Sequence, residues 1–268
     1  MRPLLGTYVE IGVESSVSTP EPAIAAAFDA VAEVQLRLSF HDARSDLTRL
    51  NQSSGSEVLM HPLSIRVLRL ARAMTRASGG LFNCTVGGAL VDLGVLPDHG
   101  GGRRLDCGSA DDIQLQRNKA RLLRPVFVTL DGIAKGYAVD CAIKSMQRHG
   151  VTAGWVNAGG DLRVFGDMVL PVRRREMDGR HTPLGSLQQA AIATSCVRSV
   201  HDVAFPAWIV GGAHAPATGV WSVLARTAWR ADALTKVASL APQSERAALI
   251  ERLGGRLVAP IGEENACA

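Results

Sequence analysis

The sequence predicts an α+β fold with a largely antiparallel sheet and packed helices. Three observations support this class. Amphipathic helical patterns are mixed with short strand patterns, no regular βαβ alternation appears, and the composition is that of an ordinary globular protein, with 47% hydrophobic and 20% charged residues. The 268 residues allow one large domain or two small ones.

The first half of the chain contains two predicted amphipathic helices. Apolar residues recur at helical spacing from Ile24 to Leu38, and a second pattern from Ser64 to Ser78 ends at two glycines. A strand is predicted at Tyr8–Val13, where apolar and polar residues alternate. The remaining segments are predicted loops: the polar residues 40–55 and the glycine-rich residues 87–108, which include one short helical piece.

The second half is predicted to supply most of the sheet, with hairpin turns near Asn118 and at residues 157–160. The run Arg173–Arg175 lies between a proline and a glycine and is predicted to be a loop. Strands are predicted at 113–116, 120–123, 127–130, 155–156, 162–165, 189–193, 207–210, 220–225 and 256–259, and helices at 136–148, from about 232, and at 244–253.

Charge and cysteine content limit the classes of partner. The formal net charge is +4, without a basic stripe interleaved with aromatic residues, so we expect no nucleic-acid partner, whereas anionic small molecules fit. Five cysteines without a CxxC pair argue against a zinc site. We expect no transmembrane segment, because glycines and prolines interrupt the long uncharged stretch 203–225. No secretion signal is recognisable, so we expect a cytoplasmic location, or a periplasmic one if a leader is missing.

The most informative window is residues 129–140, TLDGIAKGYAVD. A predicted strand leads into a glycine turn and then a helix, so backbone N–H groups and Lys135 can face a phosphate at the helix start. A lysine at this position is also common without any function, and it opposes the helix dipole. No GxGxxG or Walker pattern is present, which argues against a dinucleotide-binding fold and a P-loop.

Seven short blocks, spread over nearly the whole chain, carry a family resemblance through their order and separation. They are Leu5-Gly6-Thr7, Ser45–Asn51, Gly80–Asn83, Gly132–Asp140, Asn157–Asp161, Ala193–Ser195 and Ala231–Leu234. Each block alone is a weak signal. Together they resemble the FAD:protein FMN transferase (ApbE-like) family.

The resemblance implies a single T-fold-related domain over residues 1–268. It also implies an enzyme that uses FAD and Mg²⁺, transfers FMN to a Thr or Ser hydroxyl of an acceptor protein, and releases AMP. We expect catalytic roles for Lys135 and, as a replacement for the family's histidine, for His214, and metal contacts for Asp232, Ala134 and Thr235. The residues implied to contact the flavin nucleotide are Gly6, Thr7, Ser45, Asn51, Lys135, Asp140, Asn157, Gly159, Gly160, Asp161, Thr194 and Ser195.

Several of these residues also have simpler interpretations. Asn157–Asp161 can be a tight turn only, and Ser45, Asp46 and Asn51 can cap a helix formed by the residues between them. Asp140 lies five residues after Lys135, so the two can form a plain surface ion pair. Structural and functional roles can coexist at each position.

The chain departs from the family pattern at chemically important positions. His214, two residues after the expected histidine position, can supply the missing base or be a loop histidine without function. The departures are Leu5 for Met, Asn83 for Asp, Cys196 for Gly after Thr-Ser, and Gly212 and Ala215 for the His and Asp of the His-x-x-Asp-Pro-x-Thr-Gly block.

A further departure is Lys236, which stands where the family has a metal-binding Thr four residues after Asp232. The Thr235 hydroxyl points about 100° away from that position on a helix. Asp232 can pair with Lys236, whose ammonium partly replaces magnesium, or bind a weaker metal with a backbone carbonyl of residues 132–134. The simpler alternative is an ordinary i,i+4 pair on a helix.

These departures leave alternatives to an active transferase. The chain can be a flavin-nucleotide-binding protein with impaired transfer, or a carrier or sensor without enzyme activity. Another alternative is a pyrophosphatase that splits FAD into free FMN and AMP.

Overall fold

A seven-stranded antiparallel sheet lies at the centre of the protein, with strand order β1-β2-β6-β7-β10-β11-β12. The computed structural model describes residues 1–14, 19–100, 102, 104–198, 208–211 and 215–259. Within these residues, β3-β5-β4 form a small sheet and β8-β9 a hairpin. The strands are β1 Arg2–Leu4, β2 Thr7–Val13, β3 Val58–Leu59, β4 Ile113–Leu115, β5 Lys119–Leu122, β6 Gly154–Ala158, β7 Asp161–Phe165, β8 Leu170–Arg175, β9 His181–Leu187, β10 Ala191–Val197, β11 Gly219–Ala225 and β12 Gly255–Val258.

Helices cover one face of the central sheet, and the β8-β9 hairpin covers part of the other. On the helical face, α5 packs on β6 and β7, α6 packs on β10 and β11, and α1 packs on α5. Under the hairpin, Leu162 and Ile192 form a second, smaller apolar cluster with Leu187. The α-helices are α1 Glu21–Leu38, α2 Asp46–Asn51, α3 Pro62–Ala77, α4 Gly87–Asp92, α5 Ala134–Arg148, α6 Ala228–Leu240 and α7 Arg246–Arg252.

Most predicted elements are present, which confirms the α+β class with a largely antiparallel sheet. The periodic segments became α1 and α3, and the hairpins predicted near Asn118 and at residues 157–160 are β4-β5 and β6-β7. Strong amphipathic or alternating patterns predicted the helices and strands correctly, because burial of one face determines both the type of element and its orientation.

Four local predictions were wrong. Residues 127–130 are buried but form no strand, and Arg173–Arg175 lie in β8 instead of a loop. The polar segment 40–55 contains α2, and β1, β3 and β9 were not predicted. Of the strand predicted at 207–210, residues 208–210 are not in a strand and residue 207 lies outside the described part. No helix in the described ranges is long and apolar enough to span a membrane.

Candidate active site

The turn between β6 and β7 consists of Gly159 and Gly160, with φ angles of +58° and +99°. A Cβ on Gly159 would lie 2.5 Å from the Thr7 hydroxyl oxygen, so the close approach of β2 requires glycine there. The Asn157 side chain braces the turn, accepting from the Gly160 N–H at 3.2 Å and donating to Glu10 at 3.0 Å. The turn is therefore held from both sides.

A groove of about 580 Å³ runs beside this turn on the face of the sheet that carries the hairpin. Thr194 and the two turn glycines line one side, and residues 170–175 of β8 line the other. The Thr194 hydroxyl bonds the hydroxyl of Ser222 at 2.9 Å. A groove of this size, with mixed polar and apolar walls, suits a small-molecule ligand.

On the helical face of the sheet, next to the same turn, two lysines and two aspartates form a charged cluster: Lys135, Asp161, Asp232 and Lys236. Lys135 Nζ lies 3.8 Å from Asp161 Oδ2, and Lys236 Nζ lies 2.5 Å from Asp232 Oδ1. Both aspartates are fully buried, and Asp161 Oδ2 has no hydrogen-bond partner among the described residues. The sheet, α5 and α6 each contribute to this cluster.

The start of α5 positions the cluster against α6. The Gly136 N–H donates to Asp232 Oδ2 at 3.1 Å, so the first turn of α5 binds the carboxylate of α6. A Cβ at Gly136 would lie 2.3 Å from the Ala228 carbonyl oxygen, and only glycine permits this helix contact. Glycine here brings Lys135 next to Asp232.

The charges in the cluster shift one another's pKa values. Burial, and then the neighbouring Asp232, raise the pKa of Asp161 to about 8. Burial also opposes ionisation of Asp232, but Lys236 and Lys135 outweigh it and lower the pKa of that carboxyl. Asp161 raises the pKa of Lys135 above its ordinary value against the effect of burial. The two lysines therefore stabilise the ionised form of Asp232, whereas burial and the neighbouring Asp232 carboxylate oppose ionisation of Asp161.

Hydroxyl groups extend the cluster along α6. Thr235 donates its hydroxyl proton to the Asp232 carbonyl at 2.7 Å, so the 2.7 Å bond from Ser195 is donated by Ser195. The Ser195 oxygen accepts from the Lys236 ammonium at 3.3 Å. The bonds form one directed chain from Lys236 through Ser195 to Thr235.

The described residues do not offer magnesium a suitable set of ligands. They contain no group of three or more His, Cys, Asp or Glu side chains that could hold a metal. The ammonium of Lys236 lies on one Asp232 oxygen and the Gly136 N–H on the other, and the Thr235 hydroxyl already has two partners. Ala134 begins α5, where its N–H donates to the Leu130 carbonyl. Magnesium in proteins is usually held by one or two carboxylates together with waters and substrate phosphates, and here both oxygens of the Asp232 carboxylate already have other partners.

Three residues predicted to contact a ligand have internal partners. Ser45 caps α2 by accepting from the Thr48 N–H, and the Asn51 amide pairs with both backbone groups of Val128. Asp140 accepts from the first two N–H groups of α6 and pairs with Arg163. The alternative of a surface pair between Asp140 and Lys135 was wrong, because Asp140 is buried and Lys135 lies beside Asp161. Their contacts with a ligand stay predictions.

Of the remaining predicted residues, Gly6 and Thr7 lie at the margin of the site. Gly6 forms the β1-β2 turn with a φ of +68°, and Thr7 contacts the Gly159 turn. His214 and Gly212 lie outside the described residues. In the Gly212–Gly219 block that contains His214, the Ala217 N–H donates to the backbone carbonyl of Ser239, in the last turn of α6. This part of the block therefore lies close to the helix that carries Asp232.

Sequence reasoning missed the partners that depend on strand register. Glu10 lies opposite Asn157 in the β2-β6 ladder, and Arg163 points from β7 to Asp140. Neither residue belongs to a motif. The substitution at Asn83 has a clear structural cause, since its amide donates to the Gly108 carbonyl at 3.0 Å, which a carboxylate does not do.

Comparison with known proteins points to one family. The model of the ApbE family matches residues 5–259. No curated protein sequence matches the chain.

Several solved structures share the fold at low sequence identity. The flavin transferase ApbE from Vibrio cholerae superposes with a TM-score of 0.77 at 20% identity, covering 93% of this chain and 88% of that one. The ApbE protein from Thermotoga maritima gives 0.79 at 22% identity, with coverages of 96% and 92%. The apo flavinyl transferase ApbE from Pseudomonas stutzeri gives 0.77 at 18% identity, with coverages of 97% and 92%.

Proposed function

The chain belongs to the ApbE family, and from this premise we propose that it transfers FMN from FAD to a Thr or Ser hydroxyl of an acceptor protein, releasing AMP. The observation that carries the proposal is the pair of ammonium groups, Lys135 and Lys236, next to the Gly159-Gly160 turn, which also borders the groove on the opposite face of the sheet. A site with two cations beside a glycine turn matches the needs of a diphosphate ligand. Residues 1–268 act as one flavin transferase domain in this proposal.

The reaction is a phosphoryl-type transfer in which the protein contributes little covalent chemistry. The acceptor oxygen attacks the phosphorus of the FMN half, forming a new P–O bond, while the phosphoanhydride bond to the AMP half breaks. AMP leaves with the bridging oxygen, and the hydroxyl proton passes to a base. Positioning and charge neutralisation are the main contributions that such a reaction requires.

Residue roles follow from charge and position. Lys135 and Lys236 neutralise the diphosphate, and Gly159, Gly160 and Thr194 line the groove that holds part of the nucleotide. Asp161 Oδ2 has no hydrogen-bond partner among the described residues and lies 3.8 Å from the Lys135 ammonium, so in this proposal it holds that lysine beside the diphosphate. His214 lies outside the described residues, and its role as the base in this proposal rests on the sequence alone.

Incubation of the chain with FAD and candidate acceptor proteins tests the proposal. We expect a mass gain on the acceptor equal to FMN esterification, together with AMP release. FMN and AMP without a labelled acceptor would support a pyrophosphatase, and FAD binding without either product would support a carrier or sensor.

Two matched lysine variants add specificity to this test. Lys135→Met should lower transfer at least tenfold, since it removes a charge-assisted contact to the diphosphate. Lys144→Met removes an exposed lysine of α5 and should leave transfer unchanged. Equal transfer activity of Lys135→Met and Lys144→Met would show that Lys135 does not act in the site.

A further inference from the structure

The position of Lys236 bears on whether the site takes a divalent cation at all. The lysine side chain leaves α6 and passes over Gly132, where a Cβ would lie 3.4 Å from Lys236 Cε. Its ammonium then lies between the Asp232 carboxylate and the Ser195 hydroxyl, at 2.5 and 3.3 Å. Both contacts are with oxygen atoms, the ligand type that magnesium prefers.

We propose that the Lys236 ammonium takes the place of a divalent cation in this chain, so that the site binds a flavin nucleotide without magnesium. The inference rests on the proposed function for the identity of the ligand. It concerns this chain's own residues, since Lys236 stands where the family pattern has a threonine.

Charge and ligand geometry both support a built-in cation. A divalent ion on Asp232 would lie within a few ångströms of the Lys236 ammonium and would be strongly repelled in a buried site. The hydroxyl of Thr235 cannot replace the missing ligand without breaking its bonds to Ser195 and to the Asp232 carbonyl. By contrast, the ammonium satisfies Asp232 and still has donor capacity for an anionic oxygen.

The environment of Lys236 also supports a permanent position. Its side chain is only 19% exposed, and Asp232 is fully buried, so the pair is not a mobile surface contact. Ser195 is held by Thr235, so the second acceptor is fixed in place as well. A cation held by two fixed acceptors is preorganised for an incoming diphosphate.

Direct metal binding to the full chain gives the first test and needs no variant. Free Mn²⁺ is titrated by electron paramagnetic resonance in the absence of nucleotide, and we expect no saturable site in the wild type. One tightly bound Mn²⁺ per chain would overturn the inference. This titration decides the question even if the chain proves not to bind FAD, an outcome that would refute the proposed function instead.

Calorimetric titration with FAD gives the second test. The wild-type affinity should be the same with magnesium and with EDTA, and a tenfold or larger loss in EDTA would overturn the inference. Lys236→Thr restores the family residue, so FAD binding should become dependent on magnesium and a Mn²⁺ site should appear. Lys236→Met removes the charge without adding a ligand, and it should weaken FAD binding about tenfold in either condition, as expected for one lost charge-assisted bond.

The two variants separate the possible causes of a change. If Lys236→Thr and Lys236→Met both bind FAD as tightly as the wild type and neither gains a metal site, the position is not a cation site and the inference fails. Lys144→Met, which changes an exposed lysine on α5, controls for loss of one positive charge on the protein as a whole. Circular dichroism of each variant checks that it is folded.

Discussion

Asp140 of α5 and Arg163 of β7 form an ion pair beneath the helices, and the same carboxylate accepts the Ala228 and Trp229 N–H groups at the start of α6. One side chain therefore ties together α5, α6 and β7. These are the elements that carry Lys135, Asp232 and Asp161, so Asp140 maintains the spacing on which the charged cluster depends. Asp140 therefore positions the residues of the cluster, and this role does not require that it contact a ligand itself.

Replacing Asp140 by alanine should destabilise the protein by about 3 kcal/mol, because it leaves a guanidinium that is only 21% exposed and two helix N–H groups without their acceptor. The free energy of unfolding in urea measures the effect. In an Arg163→Met background the cost of Asp140→Ala should be smaller, since the unpaired charge is gone. A cost near zero in both backgrounds would show that the carboxylate does not hold the helices.

The fold was predictable from sequence wherever one face of an element is buried. The prediction of a strand at residues 127–130 was wrong because these residues are buried without pairing to a neighbouring strand. The backbone of Val128 is bonded to the Asn51 side chain instead. The β8 strand was missed because Arg174 is a buried residue there, paired with Glu176, and arginine is seldom counted as inward-facing.

The candidate site was predictable in part for a related reason. The contact between Asp232 and Lys236 follows from helical spacing alone, and the structure contains it. The approach of Lys135 to Asp161 joins a helix to a strand, so only the family blocks indicated it. Pairing of Asn157 with Glu10 depends on the register between β2 and β6, which no local pattern encodes.

Gly159→Ala should destabilise the turn by about 1–3 kcal/mol, since the added Cβ meets the Thr7 side chain. Thermal or urea unfolding measures the change. Thr7→Gly removes the three atoms nearest to the new Cβ, so in that background mainly backbone strain should remain, about 1–2 kcal/mol or less. The same cost in both backgrounds would mean that Thr7 does not restrict the turn.

Cysteine alkylation should distinguish the exposed thiol of Cys196 from the buried thiol of Cys84. Burial raises the pKa of Cys84 to about 11, so it should stay unmodified by iodoacetamide in the folded protein, whereas Cys196 should react. A Cys267→Ser background simplifies the peptide mass spectrum.

FAD should slow the alkylation of Cys196, because this residue lies two positions beyond Thr194 on the same side of β10 as the groove. Sodium chloride at the same ionic strength is the control for effects of salt. Modification of Cys84 as fast as Cys196 would contradict the burial, and an unchanged rate with saturating FAD would contradict the location of the ligand.

Replacing Asp161 by asparagine should change how the free energy of unfolding depends on pH. The pKa of Asp161 in the folded chain is about 8, above the ordinary value of 3.8, so between these values the folded chain holds a proton that the unfolded chain releases. The stability contributed by this proton is fully present below about pH 4 and is lost as the pH rises to about 8. Relative to Asp161→Asn, which has no proton to lose, the wild type should become steadily less stable over this range, by at most about 1.4 kcal/mol per pH unit.

Urea unfolding from about pH 5 to about pH 9 measures the stability of both proteins. Asp29→Asn, which changes an exposed carboxylate of α1, serves as the control. Parallel stability curves for the wild type and Asp161→Asn would mean that Asp161 is ionised in the folded protein over this pH range.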